Sequence, residues 1–336
     1  MRRVATLAAA LLAALGVAAC GAGGGEAGGG DDRTVDVGVV QLPIFAPLYV
    51  AQAKGYFGEA GLTVNVQNVK SGQDAIPLAA GGKLDAVLAG FSAGTFSAIE
   101  SGLDVKVVGS MGVADADTDK PASALIVRKA LVDDGSITSI ADLKGRKVGA
   151  LGGAGATAAF FTGLALEEAG LTINDVEFVQ LSSPDIPTGL QTGGIDAAFV
   201  SAPFWNLAVD NGTAVKMWAA PEGTSGTGIL YGGQFVGSPA AQPFFDALAR
   251  GARDLQGDAR YSQENLTIIG EATDQTPEQV AAVPLYAWLP DLAPLPEQLS
   301  TMERIWMQVG ALEYDTPIPP QQYVDGTFAD HVPPQG

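Results

Sequence analysis

The sequence predicts an α/β protein of two doubly wound lobes joined by two crossing segments, and three observations predict it. Ser71-Gly-Gln-Asp74 followed by Gly82-Lys-Leu-Asp85-Ala86 is echoed by Ser182-Ser-Pro-Asp185 followed by Gly193-Gly-Ile-Asp196-Ala197, with Asp74, Gly82 and Asp85 each 111 residues from their twins. In both copies a helix-length segment precedes an apolar strand that ends in small or polar residues before another helix. The 336 residues, 47% of them hydrophobic, are enough to fill two cores. Twin lobes commonly hold a ligand between them, and open α/β sheets bind at the carboxyl ends of their strands.

The chain opens on Met1-Arg2-Arg3, an apolar run from Val4 to Ala19, and Cys20 in a glycine-rich stretch. A positive start and a short apolar run describe an export signal over 1–19, too short for the roughly 20 residues that span a bilayer. Val17-Ala-Ala-Cys20 resembles the lipobox of bacterial lipoproteins, which implies cleavage before Cys20 and acylation (palmitate) of its thiol. Cys20 is the only cysteine, so no disulfide forms within the chain. Residues 20–33 read as a flexible tether. Removing 1–19 deletes Arg2 and Arg3 and takes the net charge from -19 to -21. Such an acidic body repels nucleic acid and anionic lipid, leaving the lipid as the only membrane attachment.

Val35 to Gln41 reads as a first strand, leading through Leu42-Pro-Ile-Phe-Ala-Pro47 into a helix from Leu48 to Phe57. Strands and helices then alternate to Val108, predicting a parallel sheet covered by helices. Asp115-Ala-Asp-Thr-Asp119 marks the first crossing. Lys147 to Leu151, a glycine-rich loop, a helix through Leu164 to Ala169, and the segments to Trp218 repeat the rhythm as a second lobe. Gly228 to Val236 reads as the return crossing, and the helical remainder, including Pro296 to Leu312, as packing back on the first lobe. The division is 34–120 with 236–336 for lobe I and 121–235 for lobe II.

Phe45-Ala-Pro-Leu-Tyr-Val-Ala-Gln-Ala-Lys-Gly-Tyr-Phe57, Asp142-Leu-Lys-Gly-Arg-Lys-Val148 and Leu190-Gln-Thr-Gly-Gly-Ile-Asp-Ala-Ala198 resemble the nitrate/sulfonate/taurine-type solute-binding proteins of ABC importers, a family that also binds thiamine-pyrimidine precursors. The resemblance runs from about Val35 to Leu312. It implies a type II periplasmic-binding-protein fold that closes on a small solute and delivers it to a permease with a cytoplasmic ATPase. With the lipobox, it implies a monomer anchored on the outer face of the bacterial cytoplasmic membrane, with neither cofactor nor chemical step.

Three motifs carry rival readings. Gly90-Phe-Ser92-Ala-Gly94 fits a nucleophile elbow, with His331, the only histidine, as the base of a serine hydrolase. No His-Gly-Gly-Gly-type oxyanion segment accompanies it, and Ser201-Ala-Pro203 stands at the matching place in the second lobe without nucleophile logic. Gly153-Ala-Gly155-Ala-Thr-Ala158 fits a relaxed dinucleotide fingerprint, but the following strand ends in Ser182-Ser183 without an acid for a ribose. Its backbone N–H groups suit a ligand oxygen instead, unless the glycines serve close packing alone. A pyrimidine synthase of the same fold is a further alternative, opposed by the export signal and the lack of a His/Cys cluster. One histidine and one cysteine give no basis for a metal site.

The expected ligand contacts are Gln41, Phe45, Ala46, Ser71, Gly72, Gln73, Phe91, Ser92 and Ala93 from the first lobe. The second contributes Gly153, Ala154, Gly155, Ala156, Thr157, Ser183, Ser201, Pro203, Phe204 and Trp205. Phe45, Phe91, Phe204 and Trp205 suit an apolar or planar solute, or simply the core. Asp74 and Asp185 read as helix-start acids that could instead face a ligand amine. Lys and Arg are absent from the loops expected in the cleft, so a heterocycle fits as well as an anion.

Overall fold

A computed structural model describes residues 33–334. The expected export signal, the expected lipidation site Cys20, and the expected tether up to Asp32 lie outside the described residues. Among the described residues no helix is long and apolar enough to cross a membrane.

The chain runs β1 (Thr34–Val39), α1 (Ala46–Ala53), α2 (Tyr56–Glu59), β2 (Thr63–Asn68), α3 (Gly72–Ala80), β3 (Ala86–Gly90), α4 (Ala93–Glu100) and β4 (Val105–Ser110). After a crossing come β5 (Ser123–Arg128), α5 (Lys129–Asp133), β6 (Lys147–Ala150), α6 (Thr157–Glu168), β7 (Glu177–Gln180), α7 (Ile186–Thr192), β8 (Ala197–Ser201), α8 (Phe204–Asp210) and β9 (Ala214–Ala219). The return leads into β10 (Thr227–Gly232), α9 (Gly233–Val236), α10 (Ala241–Arg253), α11 (Gln263–Ala272), α12 (Pro277–Ala281), α13 (Pro296–Gln308) and α14 (Thr327–Asp330). The helix expected from Leu48 to Phe57 is broken at Gly55, whose φ of 76° is left-handed backbone that a glycine adopts without strain.

Two five-stranded sheets result, ordered β2-β1-β3-β10-β4 and β7-β6-β8-β5-β9. The two orders are the same under the repeat. Each sheet is mixed, however, where a parallel one was expected. β10 runs antiparallel to β3 and β4, and β5 antiparallel to β8 and β9. A strand that arrives from the other lobe enters at the carboxyl edge of its neighbours, as Thr227 opposite Gly90 and Ser123 opposite Ser201 show, and so must run back against them. The return crossing therefore ends before β10, and Gly228 to Gly232 belong to the first sheet.

The repeated aspartates brace these sheets. Asp85 Oδ2 accepts from the N–H of Asp36 on β1 (2.8 Å), and Asp196 Oδ2 accepts from the N–H of Lys147 on β6 (3.2 Å). Ser71 Oγ donates to Asp74 (2.8 Å) and Ser182 Oγ to Asp185 (2.5 Å), so both of these acids act on the start of a helix.

One apolar core lies between the first sheet and α1, α10 and α11, and another between the second sheet and α7 and α8. A third runs continuously from one sheet to the other through α4, α6 and α13. Trp306 of α13 packs edge-on to Phe96 (5.7 Å) and to Phe160 (6.5 Å), one from each lobe, and its Nε1 donates to Ala156 O. Arg304 makes a two-pronged pair with Glu167. α13 thus straddles both lobes instead of returning to the first alone.

Candidate functional site

The carboxyl ends of β1 and β3 face those of β6 and β8 across the molecule, and side chains meet there. Thr157 Oγ1, at the first residue of α6, donates to Phe91 O just beyond β3 (2.7 Å). An added Cβ on Gly155 would stand 3.2 Å from Ala93 Cβ, so the glycine-rich loop and the start of α4 touch directly. Gly152 and Gly153 turn this loop with φ near +79° and +76°, a course that an L side chain would strain. Phe91, Ser92 and Ala93 are therefore brought against Gly155, Ala156 and Thr157.

The other expected contacts divide. Gln41 hydrogen-bonds Ala272 O (2.9 Å), Asp274 (3.1 Å) and Asn68 (2.9 Å), all in its own lobe. Phe45 and Ala46 are buried in the first core. Ser71 is spent on Asp74, Gly72 packs on Ala89 and Gly90, and Gln73 lies against Gly94. Gly153 approaches Gln180, Ala154 is half-buried beside it, and Ser183 opens a short helical turn before α7. Pro203 is exposed and Phe204 half-buried, while Trp205 is buried with its Nε1 donating to Pro121 O (3.1 Å). Ser201 faces the opposite lobe.

Its partner there escaped the sequence reading. Tyr286, in the loop after α12, brings its hydroxyl to 2.5 Å from Ser123 Oγ and 3.4 Å from Ser201 Oγ, and these two are 3.0 Å apart. Arg260 donates through Nη1 to Tyr286 O (3.2 Å) and through Nη2 to Asp115 on the first crossing. Arg260, from a distant helical segment, thus ties the backbone of Tyr286 to the first crossing. Burial would raise the Asp115 carboxyl, but the Arg260 guanidinium outweighs it and holds the group below its ordinary range. Tyr49, pushed up to about 12 by burial, stays protonated at neutral pH.

The elbow motif is built as a helix start. The Ser92 N–H donates to Thr95 Oγ1 (3.3 Å), and Ser92 Oγ, 3.5 Å from the same atom, also meets the Thr95 backbone N–H in a capping box. His331 meets Thr327 O (2.6 Å), and its helix packs through Phe328 on Tyr231 (5.0 Å). Tyr231 pairs with Ala86, the first residue of β3, whereas Ser92 follows the last. The two are at opposite ends of that strand. Among the described residues no group of His, Cys, Asp or Glu is arranged to hold a metal. A cavity of about 260 Å³ lies between α6, the return crossing and α13, lined by Phe160, Leu164, Pro221 and Thr301, away from the facing strand ends.

Residues 43–256, from the loop after β1 to α10 and the turn that follows it, match the model of the NMT1/THI5-like family. The chain belongs to that family. Among its curated relatives, a Haemophilus influenzae protein named for thiamine biosynthesis is 28% identical over 264 residues, 77% of this chain and 72% of that one. The 4-amino-5-hydroxymethyl-2-methylpyrimidine phosphate synthase of Aspergillus parasiticus is 34% identical over 112 residues, 33% of this chain. That match spans only 29% of the synthase's own length. Among solved structures, the periplasmic aliphatic sulphonate-binding protein SsuA from Escherichia coli superposes with a TM-score of 0.66 at 16% identity, over 86% of this chain and 91% of that one. At that identity the likeness is one of fold, and this NMT1/THI5-like chain has the periplasmic-binding-protein fold.

Proposed function

We propose that the chain is an extracytoplasmic solute-binding lipoprotein of an ABC importer, anchored through Cys20 and acting as a monomer. The observation that carries this reading is the meeting of two like-built strand-end walls, joined by Thr157 to Phe91 O and by Tyr286 to Ser123 and Ser201. Such walls close on a guest when it interacts better with the closed form than with the open one, and a permease then reads the closed form. The solute is a small sulfonate-, taurine- or nitrate-like anion or a pyrimidine-like heterocycle. The names of the two curated relatives favour starting with the pyrimidine. Gly153 to Thr157 with Phe91 to Ala93 form its nearest surroundings. The separation of Ser92 from His331 argues against hydrolysis, and no chemical step is required.

The test is thermal unfolding of the purified protein with nitrate, taurine, ethanesulfonate and 4-amino-5-hydroxymethyl-2-methylpyrimidine. A ligand at a hundred times its Kd adds about 2.7 kcal/mol to the native state. For a chain of this size that is a rise in Tm of about 5 °C. The reading fails if no such solute shifts the transition and the protein instead turns over an ester with loss of rate in Ser92→Ala.

A further inference from the structure

We propose that Tyr286 is a latch by which the first lobe holds the strand-end wall of the second closed, and that a bound solute must satisfy the hydroxyl cluster it forms with Ser123 and Ser201. The inference rests on the solute-binding reading for its second half only. Ser123 opens β5 and Ser201 ends β8, so their hydroxyls mark the strand-end wall of the second lobe. Tyr286 belongs to the other lobe. Its neighbour Ala287 pairs through both backbone groups with Val113, Trp288 Nε1 donates to Ile44 O, and the Leu285 N–H donates to Tyr261 Oη. The phenol is therefore presented from a fixed backbone, and little side-chain freedom remains to be lost on contact.

Arg260 gives this contact a link to the hinge. The two crossings lie side by side, with the Ala114 N–H donating to Thr224 O and the Gly223 N–H to Ala114 O. One guanidinium holds Asp115, the next residue of the first crossing, and the carbonyl of Tyr286. Rotation at the crossings and withdrawal of the phenol are thus mechanically joined. Three hydroxyls in one cluster can each donate one hydrogen and accept others. A solute group entering there must replace what it displaces, or leave a polar atom unpaired.

Amide hydrogen exchange on the full-length chain without solute tests the closure. Loss of one such hydrogen bond should shift the opening equilibrium about five- to tenfold. In Tyr286→Phe, exchange of 122–125 and 199–202 is expected to rise by that factor, with β1 and β2 unchanged. Ser123→Ala should do the same, and the double variant should exceed neither. Unchanged protection of 122–125 in Tyr286→Phe overturns the proposal. The solute half is read with nitrate, ethanesulfonate and 4-amino-5-hydroxymethyl-2-methylpyrimidine as probes. A probe that binds the parent chain should bind Tyr286→Phe about tenfold more weakly, with the Tm without probe lower by only about 2 °C. Equal affinity removes Tyr286 from recognition and leaves solute binding intact. If no probe binds while exchange responds as expected, the closure stands and the solute half of the proposal falls.

Discussion

Asp85 and Asp196 hold the same place in the two lobes and keep different company. Asp196 pairs with Arg128 (2.9 Å), whereas at the matching place Asp85 has Gly232, whose N–H it meets only through its backbone oxygen. Burial, with Asp36 nearby, raises the Asp85 carboxyl against the opposing pull of the Asp36 N–H. A carboxyl raised in the native state contributes stability that is present below its unfolded pKa and lost as pH rises through the native one. At neutral pH the ionised group is therefore a cost. Asp85→Asn keeps an acceptor for the Asp36 N–H and should match or exceed the parent in urea midpoint at pH 7, with the advantage gone below about pH 4. Asp85→Ala strands that N–H and should cost about 1–2 kcal/mol; equal midpoints for the two variants would refute the account. The repeat made these aspartates legible in the sequence. Their task was not, because the N–H they satisfy lies on a strand 49 residues earlier.

At the scale of elements, strand and helix periodicity placed most segments correctly and failed on direction and destination. The continuous apolar run Ala124 to Val127 marks β5 as a buried strand, and Ile229 to Tyr231, read as part of the return crossing, forms β10; an apolar run reads the same from either end, so the antiparallel course was hidden. The face of α13 that carries Leu299, Met302 and Trp306 signals burial without naming what covers it. Its partners prove to be Phe96 and Phe160, from two different lobes. Trp306→Ala should cost about 3–5 kcal/mol, the usual penalty for emptying a large buried aromatic site. Because the shared core passes through this side chain, calorimetry should show one transition for the parent and two for this variant. A cost under about 1 kcal/mol with one transition retained would mean that α13 does not unite the lobes. The glycine-rich loop and the start of α4 were legible because both follow repeated strands. Tyr286 and Arg260 were not, since the one reaches the strand ends and the other the first crossing from a segment that has no counterpart in the second lobe.

For the whole molecule, acid should weaken the hinge. The depressed Asp115 carboxyl contributes stability that is present above its unfolded pKa and lost as pH falls through the native one. That places the loss below about pH 4. Denaturant midpoints measured from pH 5 down to 2.5 should fall more steeply for the parent than for Arg260→Gln, which lacks the pair at every pH. Parallel curves would show that the Asp115–Arg260 tie carries no such stability.

The position of β10 also governs the order in which the molecule can be assembled. Every strand of the second sheet lies between residues 123 and 219, whereas the first sheet lacks its fourth member, between β3 and β4, until Thr227–Gly232 exist. A nascent chain therefore possesses a whole second sheet while the first still has an open slot. The lobe begun earlier is the one finished last.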